Sequence, residues 1–286
     1  MTQSPHNVDR QVVDDFGAEW ARFNQMDLDE AERQKLFNDY FAVFPWHRLK
    51  PDAVGMDVGC GSGRWARSVA PRVGHLMAVD PAVSALAVAR KSLAPHPNVS
   101  FHNTGVDTLP VGDGELDFAY SLGVLHHVPD TQRAIRSVAR KLKPGAPFLI
   151  YLYYALDNRP WWFRAIWQAS NVVRRAISAC PQRLKHLICE VIAAVVYWPL
   201  ARTAKWLEKA GVKVANFPLS VYRNLSFYTM RTDALDRFGT RLEQRFSRVE
   251  IGEMLTAAGF TDIVFHEGEP HWCACGIRGA TVEDPR

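Results

Sequence analysis

The stretch GMDVGCGSGRW, residues 55–65, contains the residue types that bind a nucleotide-like cofactor. A glycine-rich turn between a strand and a helix places backbone N–H groups and a helix N-terminus close to a ligand. Two patterns fit the same letters. One is G-x-G-x-x-A, the dinucleotide fingerprint, which begins at Gly61. The other is D-x-G-x-G-x-G, which begins at Asp57. The first predicts a nicotinamide-dependent oxidoreductase, whereas the second leaves room for a different adenosine cofactor.

Two acidic residues accompany this turn. Asp80 ends the second predicted strand, where a carboxylate can hold the ribose diol that both kinds of cofactor carry. Asp57 lies on the first strand, where it would repel a pyrophosphate strongly at low effective dielectric. A cofactor that carries an ammonium and a sulfonium is attracted instead. Asp57 therefore favours S-adenosylmethionine, whose carboxylate would meet the helix N-terminus after Gly63.

Two adjacent histidines, His126 and His127, follow the fourth predicted strand. An imidazole at this position can accept a proton from a reacting group, although one of the rings can also cap a neighbouring loop. Cys273 and Cys275 alternate on a predicted strand, and two cysteines do not complete the four-ligand set of a zinc site. The sequence therefore predicts an imidazole base at most, and no metal.

Short apolar runs alternate with helical stretches in residues 51–154. This alternation predicts βαβ units and a parallel sheet with helices on both faces. Residues 8–44 show apolar side chains at three- and four-residue spacing, which predicts helices. The runs TDIVFHEG and HWCACGIRG near the C-terminus predict an antiparallel hairpin at one sheet edge.

The run LPVGDGELDFAYSLGVLHHVPD (109–130), followed by RAIRSVARKLKPGAPFLIY (133–151), closely resembles the class I S-adenosylmethionine-dependent methyltransferases. The resemblance covers residues 52–152 well, extends weakly to 247–265, and includes FGAEWARF (16–23), which is similar to the N-terminal cap of many such enzymes. It implies an α/β, Rossmann-like class I methyltransferase fold. That fold has a mostly parallel seven-stranded sheet with a C-terminal antiparallel hairpin, an N-terminal helical cap and an α-helical insertion.

The resemblance also implies roles for individual residues. The glycines lie against the methionine portion of the cofactor, Asp57 contacts its amino group, and Asp80 holds the ribose. Many members have an acid where this chain has Val106, so Asp107 either bonds the adenine amino group or is simply solvated. The implied cofactor-binding residues are Asp57, Gly59, Gly61, Gly63, Asp80, Pro81, Val106, Asp107, Leu122 and Gly123.

The pattern predicts four parts: a cap (1–50), a cofactor-binding core (51–154), an insertion that forms a lid over the acceptor site (155–225), and a C-terminal part that completes the sheet (226–286). The side chains predicted to line the acceptor site or its lid are Trp20, Tyr154, Trp161, Tyr222 and Tyr228.

The insertion differs in composition from the rest of the chain. Residues 151–220 hold ten Lys or Arg against three Asp or Glu, whereas the remaining residues hold 24 against 27. Tryptophan and arginine crowd residues 159–175, and the apolar run 187–198 is predicted to end at Pro199. That run is shorter than the ~20 apolar residues of a spanning helix. The segment is therefore predicted to be a lid, a peripheral membrane contact through residues 159–200, or both if the acceptor is lipid-linked.

The expected function is methyl transfer from S-adenosylmethionine to a small or lipid-linked acceptor, at oxygen. The alternatives are N-, S- or C-methylation of a soluble metabolite, a non-catalytic binding module, and nicotinamide-dependent oxidoreduction. A net charge of +4 is too small to suggest nucleic acid. The polar N-terminus without an apolar segment, and five cysteines without a framework, predict a cytoplasmic protein with optional contact at the inner membrane face.

Overall fold

The computed structural model describes residues 7–23, 25 and 28–280. Its central feature is a seven-stranded sheet, whose strands in chain order are β1 (Val54–Val58), β2 (His75–Val79), β3 (Val99–His102), β4 (Phe118–Leu122), β5 (Pro147–Tyr151), β6 (Phe260–Phe265) and β7 (Ala274–Arg278). The spatial order is β3-β2-β1-β4-β5-β7-β6. The first five strands are parallel, and β7 pairs antiparallel with both β5 and β6. The predicted sheet and its C-terminal hairpin are confirmed.

The α-helices of the described residues are α1 (Arg10–Arg22), α2 (Glu30–Tyr40), α3 (Ala66–Val69), α4 (Val83–Ser92), α5 (Thr131–Lys141), α6 (Trp161–Ser178), α7 (Gln182–Ile192), α8 (Trp198–Lys209), α9 (Phe227–Gly239) and α10 (Arg248–Ala257). A π-helical segment, Ala193–Tyr197, joins α7 to α8 without a break. The sequence predicted that the apolar run 187–198 ends at Pro199, but the helix itself continues through Pro199 to Lys209. Because proline lacks an N–H donor, the wider π turn before it accommodates the ring within a continuous helix.

The chain divides into two compact units. The sheet unit comprises the described residues up to 25, residues 34–155 and residues 242–280, and the helical unit comprises residues 28–33 and 156–241. The helical unit is thus longer than the predicted 155–225 insertion. It includes α9, because Met230 and Ala234 of α9 are buried with Ala193, Tyr197 and Ala201.

The sheet is buried on both faces, as expected when helices cover a parallel sheet. On one face, apolar residues of β1, β4 and β5 pack against Ile135 of α5 and Leu255 of α10. On the other face, the strands pack against Phe37 of α2 and Leu86 of α4. All five residues of β4 are buried, so a change in side-chain volume on this strand disturbs the packed core.

Gly55 on β1 leaves space for the ring of Phe118 at the centre of this sheet. A Cβ atom at Gly55 would lie 2.1 Å from the Cε1 and Cζ atoms of Phe118 on the neighbouring strand. We expect Gly55→Ala to lower the free energy of unfolding by about 1–3 kcal/mol, because the ring has to move in a packed core. Urea denaturation with and without the substitution measures the change.

Gly252→Ala is the matched control, since Gly252 lies in α10 and its nearest neighbour atom would be 3.8 Å from the new Cβ. Alanine is the better helix former, so this variant should be unchanged or more stable by up to about 1 kcal/mol. Equal unfolding midpoints for Gly55→Ala and the native protein would contradict the packing of Phe118 on β1.

The helix after the glycine turn is much shorter than predicted. The stretch GRWARSVAPRV, residues 63–73, is one of the helical stretches that the sequence predicts, but α3 has only four residues and a 3₁₀ turn, Ala70–Arg72, follows it. Pro71 provides the physical reason at the C-terminal end, because a proline has no N–H with which to donate the next α-helical hydrogen bond. The attraction of a cofactor carboxylate to a helix dipole is correspondingly weaker here than the sequence suggested.

Candidate active site

The turn between β1 and α3 is tightly tied to the second strand. The N–H groups of Gly59 and Cys60 donate to the carbonyl oxygen of Val79 at 2.8 and 3.0 Å. Gly59 and Gly61 have φ angles of +81° and +52°, and residues other than glycine rarely adopt this backbone conformation. A Cβ at Gly61 would also lie 2.9 Å from the indole of Trp20. The glycines are therefore required by the backbone and by the close approach of α1.

Asp80 lies against this turn at the end of β2. Its Oδ2 accepts the N–H of Gly61 at 2.9 Å, and its Oδ1 accepts the N–H of Ala82 at 2.8 Å. The pKa of Asp80 is raised to about 6 overall, because burial raises it by more than the two N–H donors lower it. The carboxylate is therefore ionised at pH 7 and can accept hydrogen bonds from a ribose diol.

Asp57 lies deeper, on β1. Tyr120, its register partner on β4, donates its hydroxyl hydrogen to Asp57 Oδ2 over 2.9 Å. The pKa of Asp57 is raised to about 8 overall: burial raises it most, the hydrogen bond from Tyr120 lowers it, and the charge of Asp80 raises it. A cation next to Asp57 stabilises its ionised form. The ammonium group of S-adenosylmethionine is such a cation, so the site fits that cofactor.

Where the cofactor is expected to bind, the Oγ of Ser62 and the Oδ1 of Asp107 are buried and have no hydrogen-bond partner within the described part of the chain. The other Asp107 oxygen, Oδ2, accepts the N–H of Asn7 at 2.7 Å and the Nη2 of Arg133 at 2.8 Å. Asp107 is thus held in place with one oxygen able to accept the adenine amino group. Ser62 is not among the residues predicted from the sequence, because a serine inside a glycine turn has no distinguishing pattern of its own.

The remaining predicted cofactor residues lie at the carboxyl ends of the parallel strands, where ligands bind in open α/β sheets. Val106 begins a 3₁₀ turn, Val106–Thr108, and is buried. Leu122 ends β4, and the N–H of Gly123 donates to Tyr151 O at 3.0 Å. The carbonyl of Pro81, next to Asp80, accepts the Nδ2 of Asn103 at 2.9 Å.

His127 closes a 3₁₀ turn, Leu125–His127, directly after β4. Its Nδ1 lies 2.7 Å from the carbonyl oxygen of Leu242. A carbonyl oxygen can only accept, so Nδ1 carries a proton, and in the neutral ring Nε2 holds the lone pair. The ring is 4% exposed and its centroid lies 4.8 Å from that of Phe16 on α1. His127 therefore has the tautomer of a general base.

His126 has the opposite tautomer. Its Nδ1 accepts the N–H of Tyr153 at 3.4 Å, which places the ring proton on Nε2. Burial, and then the nearby His127 and Arg245, lower the pKa of His126 well below its ordinary value. Its Nε2 is buried without a partner among the described residues. His126 is thus a neutral hydrogen-bond donor, and the two predicted histidines separate into a donor and a base.

Aromatic and cationic side chains of the sheet unit surround the histidines. The Tyr153 ring stacks on His126 with centroids 3.9 Å apart, and the Arg245 guanidinium lies over Tyr153 at 5.1 Å. Arg245 also donates to the carbonyl of Tyr154 at 3.2 Å. Phe16 and Arg245 were not singled out from the sequence. Phe16 and Trp20 lie four residues apart on α1, and that spacing was the signal that could have paired them.

The other predicted acceptor residues belong to the helical unit. Trp161 is the first residue of α6 and is 74% exposed. The ring of Tyr222 lies against Tyr197, with centroids 5.1 Å apart. The carbonyl of Tyr228 accepts the hydroxyl of Thr232 at 3.1 Å. Their predicted role in a lid stays a prediction. Across residues 7–23, 25 and 28–280, no group of three or more His, Cys, Asp or Glu side chains is placed to hold a metal ion.

Comparison with known proteins places the site in a family. The family described as "Methyltransferase domain" matches residues 56–150. The ubiquinone biosynthesis O-methyltransferase of Hahella chejuensis is 33% identical over 125 residues, which cover 43% of this chain and 48% of that protein. The 2-phytyl-1,4-naphtoquinone methyltransferase of Nostoc sp. is 31% identical over 134 residues, which cover 45% and 58%. The chain thus spans about half the length of these curated relatives.

A solved structure shows the same fold. The Haloferax volcanii protein from the complex with the Trm112 methyltransferase activator has a TM-score of 0.55 and 16% identity, over 96% of this chain and 100% of that one. The matched residues 56–150 contain the glycine turn, both buried acids and the histidine pair. The comparisons therefore favour the D-x-G-x-G-x-G pattern over the dinucleotide fingerprint, with S-adenosylmethionine as the cofactor. Residues 56–150 therefore form a class I S-adenosylmethionine-dependent methyltransferase domain.

Proposed function

We propose that this chain methylates an oxygen of a small or lipid-linked acceptor, and that the oxygen is phenolic. The observation that carries the proposal is the tautomer of His127, because the hydrogen bond from Nδ1–H to the carbonyl oxygen of Leu242 puts the lone pair of the neutral ring on Nε2. A phenol gains most of its nucleophilicity on losing its proton, so a positioned imidazole base suits an oxygen acceptor. An amine that is already neutral needs no such base before methyl transfer.

The aromatic surroundings support a ring-shaped acceptor. Phe16 and Tyr153 contact the two histidines, and Trp20 lies against the glycine turn. Flat side chains of this kind pack well on an aromatic ring. The names of the relatives point the same way, because one is a ubiquinone biosynthesis O-methyltransferase and the other acts on a naphthoquinone.

The chain's own groups divide the work as follows. S-adenosylmethionine, when bound, supplies an electrophilic methyl group on a sulfonium. Asp57 and Asp80 bind its amino and ribose groups, and the glycine turn fixes its position. His126 donates a hydrogen bond from Nε2, and His127 accepts the acceptor's proton at Nε2. Holding both reactants in one orientation provides much of the rate enhancement in such a displacement.

The direct test compares three acceptor classes on one ring. The full-length protein is incubated with S-adenosylmethionine carrying a labelled methyl group and with 4-alkylcatechols, 4-alkylanilines or 4-alkylthiophenols of matched alkyl length. We expect label in the catechol products, with rates that rise as the alkyl chain lengthens if the acceptor is lipid-linked. Faster labelling of the anilines or thiophenols, or label in none of the three, contradicts oxygen methylation of a phenol.

A further inference from the structure

The helical unit exposes an unusual amount of apolar surface on α6. The large apolar side chains that face outward on this helix are Trp161, Trp162, Ile166, Val172 and Val173. At 3.6 residues per turn these positions fall on one side of the helix, together with three exposed alanines. The buried side, with Arg174, Ile177 and Ser178, faces the unit's interior. Soluble monomers rarely leave a continuous apolar stripe of this length uncovered.

The continuous helix α7–α8 carries a second exposed stripe. Its outward apolar side chains include Leu184, Leu187, Val191, Val195, Trp198 and Trp206. By length and composition alone, this 28-residue helix, Gln182–Lys209, is long and apolar enough to cross a membrane. The stripes on α6 and on α7–α8 are together called the apolar face below. Four of their side chains are tryptophans, which concentrate at the boundary between lipid and water.

The inner side of α7–α8 argues against crossing a bilayer. Glu190 accepts two hydrogen bonds from Arg231 of α9, at 2.6 and 2.7 Å. Arg202 donates to the carbonyls of Arg223 and Leu225, at 2.9 and 3.2 Å. A spanning helix would carry this charged layer into the hydrocarbon, which is costly. A helix with one side packed on its own unit and the other side apolar suits the plane of a membrane surface.

The charge of the helical unit indicates what kind of lipid headgroup its surface would bind. Residues 28–33 and 156–241 hold 15 Lys or Arg against eight Asp or Glu, within a chain whose net charge is only +4. Arg164 and Arg175 are exposed on α6, and Arg183 and Lys209 are exposed near the two ends of α7–α8. Basic side chains beside an apolar stripe are attracted to anionic headgroups while the stripe enters the interface. A second copy of this chain would bring the same positive charge and be repelled.

We propose that the apolar face of α6 and α7–α8 docks the protein onto the surface of a bilayer that contains anionic lipid. This binding does not depend on which acceptor is methylated, and it would bring the protein to lipid-linked molecules.

Sedimentation with vesicles tests the proposal on the full chain. Vesicles of phosphatidylcholine alone are compared with vesicles that also contain phosphatidylglycerol, at low and at raised salt. We expect at least about tenfold stronger binding to the anionic vesicles at low salt and a clear loss as salt screens the basic residues. Trp161→Ser with Val172→Ser should weaken this binding about tenfold or more, and so should Leu187→Ser with Val195→Ser.

The matched control is Val249→Ser with Val264→Ser, which removes two equally exposed apolar side chains from the sheet unit and should leave vesicle binding unchanged. Thermal unfolding and cofactor binding verify that each variant is folded. Recovery of the native protein in the supernatant with both vesicles overturns the proposal. Analytical ultracentrifugation then shows whether the face instead joins two copies. Retention in the membrane pellet after alkaline carbonate extraction also overturns it, because an interfacial helix is released.

Discussion

The variant His127→Asn will bind the cofactor as the native protein does and will lose turnover by about 10²–10⁴-fold, the usual contribution of a general base. The asparagine amide nitrogen can take the place of Nδ1 and keep the hydrogen bond to Leu242. The basic Nε2 is lost with the ring. Calorimetric titration with S-adenosylhomocysteine measures the first quantity, and labelled methyl transfer to the catechol acceptor measures the second.

The neighbouring histidine provides the comparison. His126→Asn keeps an oxygen that can accept the N–H of Tyr153, and it removes the Nε2 donor together with the ring that stacks on Tyr153. We expect it to reduce turnover by less than about tenfold, as for the loss of one hydrogen bond of ordinary strength. A larger defect in His126→Asn than in His127→Asn would reverse the assignment.

Much of the cofactor half of this site could be predicted from the sequence. The alternating apolar runs fix which segments are strands, and parallel strands bring their carboxyl ends to one edge of the sheet. Asp57 lies near the end of β1, the glycines follow β1 directly, and Asp80 follows β2 directly. Their roles depend on position along a strand, which a local pattern shows well.

The acceptor half depends on contacts between residues far apart in the chain. The proton on His127 is placed by Leu242, 115 residues later, and that on His126 by the backbone of Tyr153. The partner of Asp57 is Tyr120, 63 residues away. The spacing of neighbouring residues in the sequence does not indicate these contacts. The same reason explains the helical unit, whose extension to α9 rests on the packing of Met230 and Ala234 rather than on a change in composition.

A second large effect is expected from the buried acid under the cofactor. Asp57 has a pKa of about 8 in the folded chain against 3.8 as the ordinary value, so at pH 7 it is mostly protonated. Contact with a cationic ammonium requires the ionised form, and cofactor binding at pH 7 should therefore release close to one proton. The affinity should rise with pH, by up to about tenfold per unit, and level off above pH 8. Asp80, with a pKa of about 6, is mostly ionised at pH 7 and above.

Asp57→Asn should abolish this dependence. Titrations with S-adenosylhomocysteine between pH 6.5 and 8.5, in buffers of different ionisation enthalpy, give the affinity and the number of protons released. At pH 8 the variant should bind about tenfold or more weakly, since it lacks the charge that attracts the ammonium. Asp113→Asn removes an exposed carboxylate paired with Lys141 and serves as the control with the same change in net charge. Proton release that persists in Asp57→Asn would assign the effect to another group.

The raised pKa of Asp57 also makes the free energy of unfolding decrease as the pH rises. In the unfolded chain Asp57 is ionised above about pH 4, whereas in the unliganded folded chain it holds its proton up to about pH 8. Folding therefore takes up a proton in this interval, and the Asp57 contribution to stability is full below pH 4 and lost as pH rises to 8. Asp57→Asn should flatten that decline in the pH dependence of urea unfolding. Bound cofactor should flatten it in the native protein too, because the ammonium group keeps Asp57 ionised. A decline of equal slope in the native protein, the variant and the liganded form would show that the buried carboxyl is not the group that titrates.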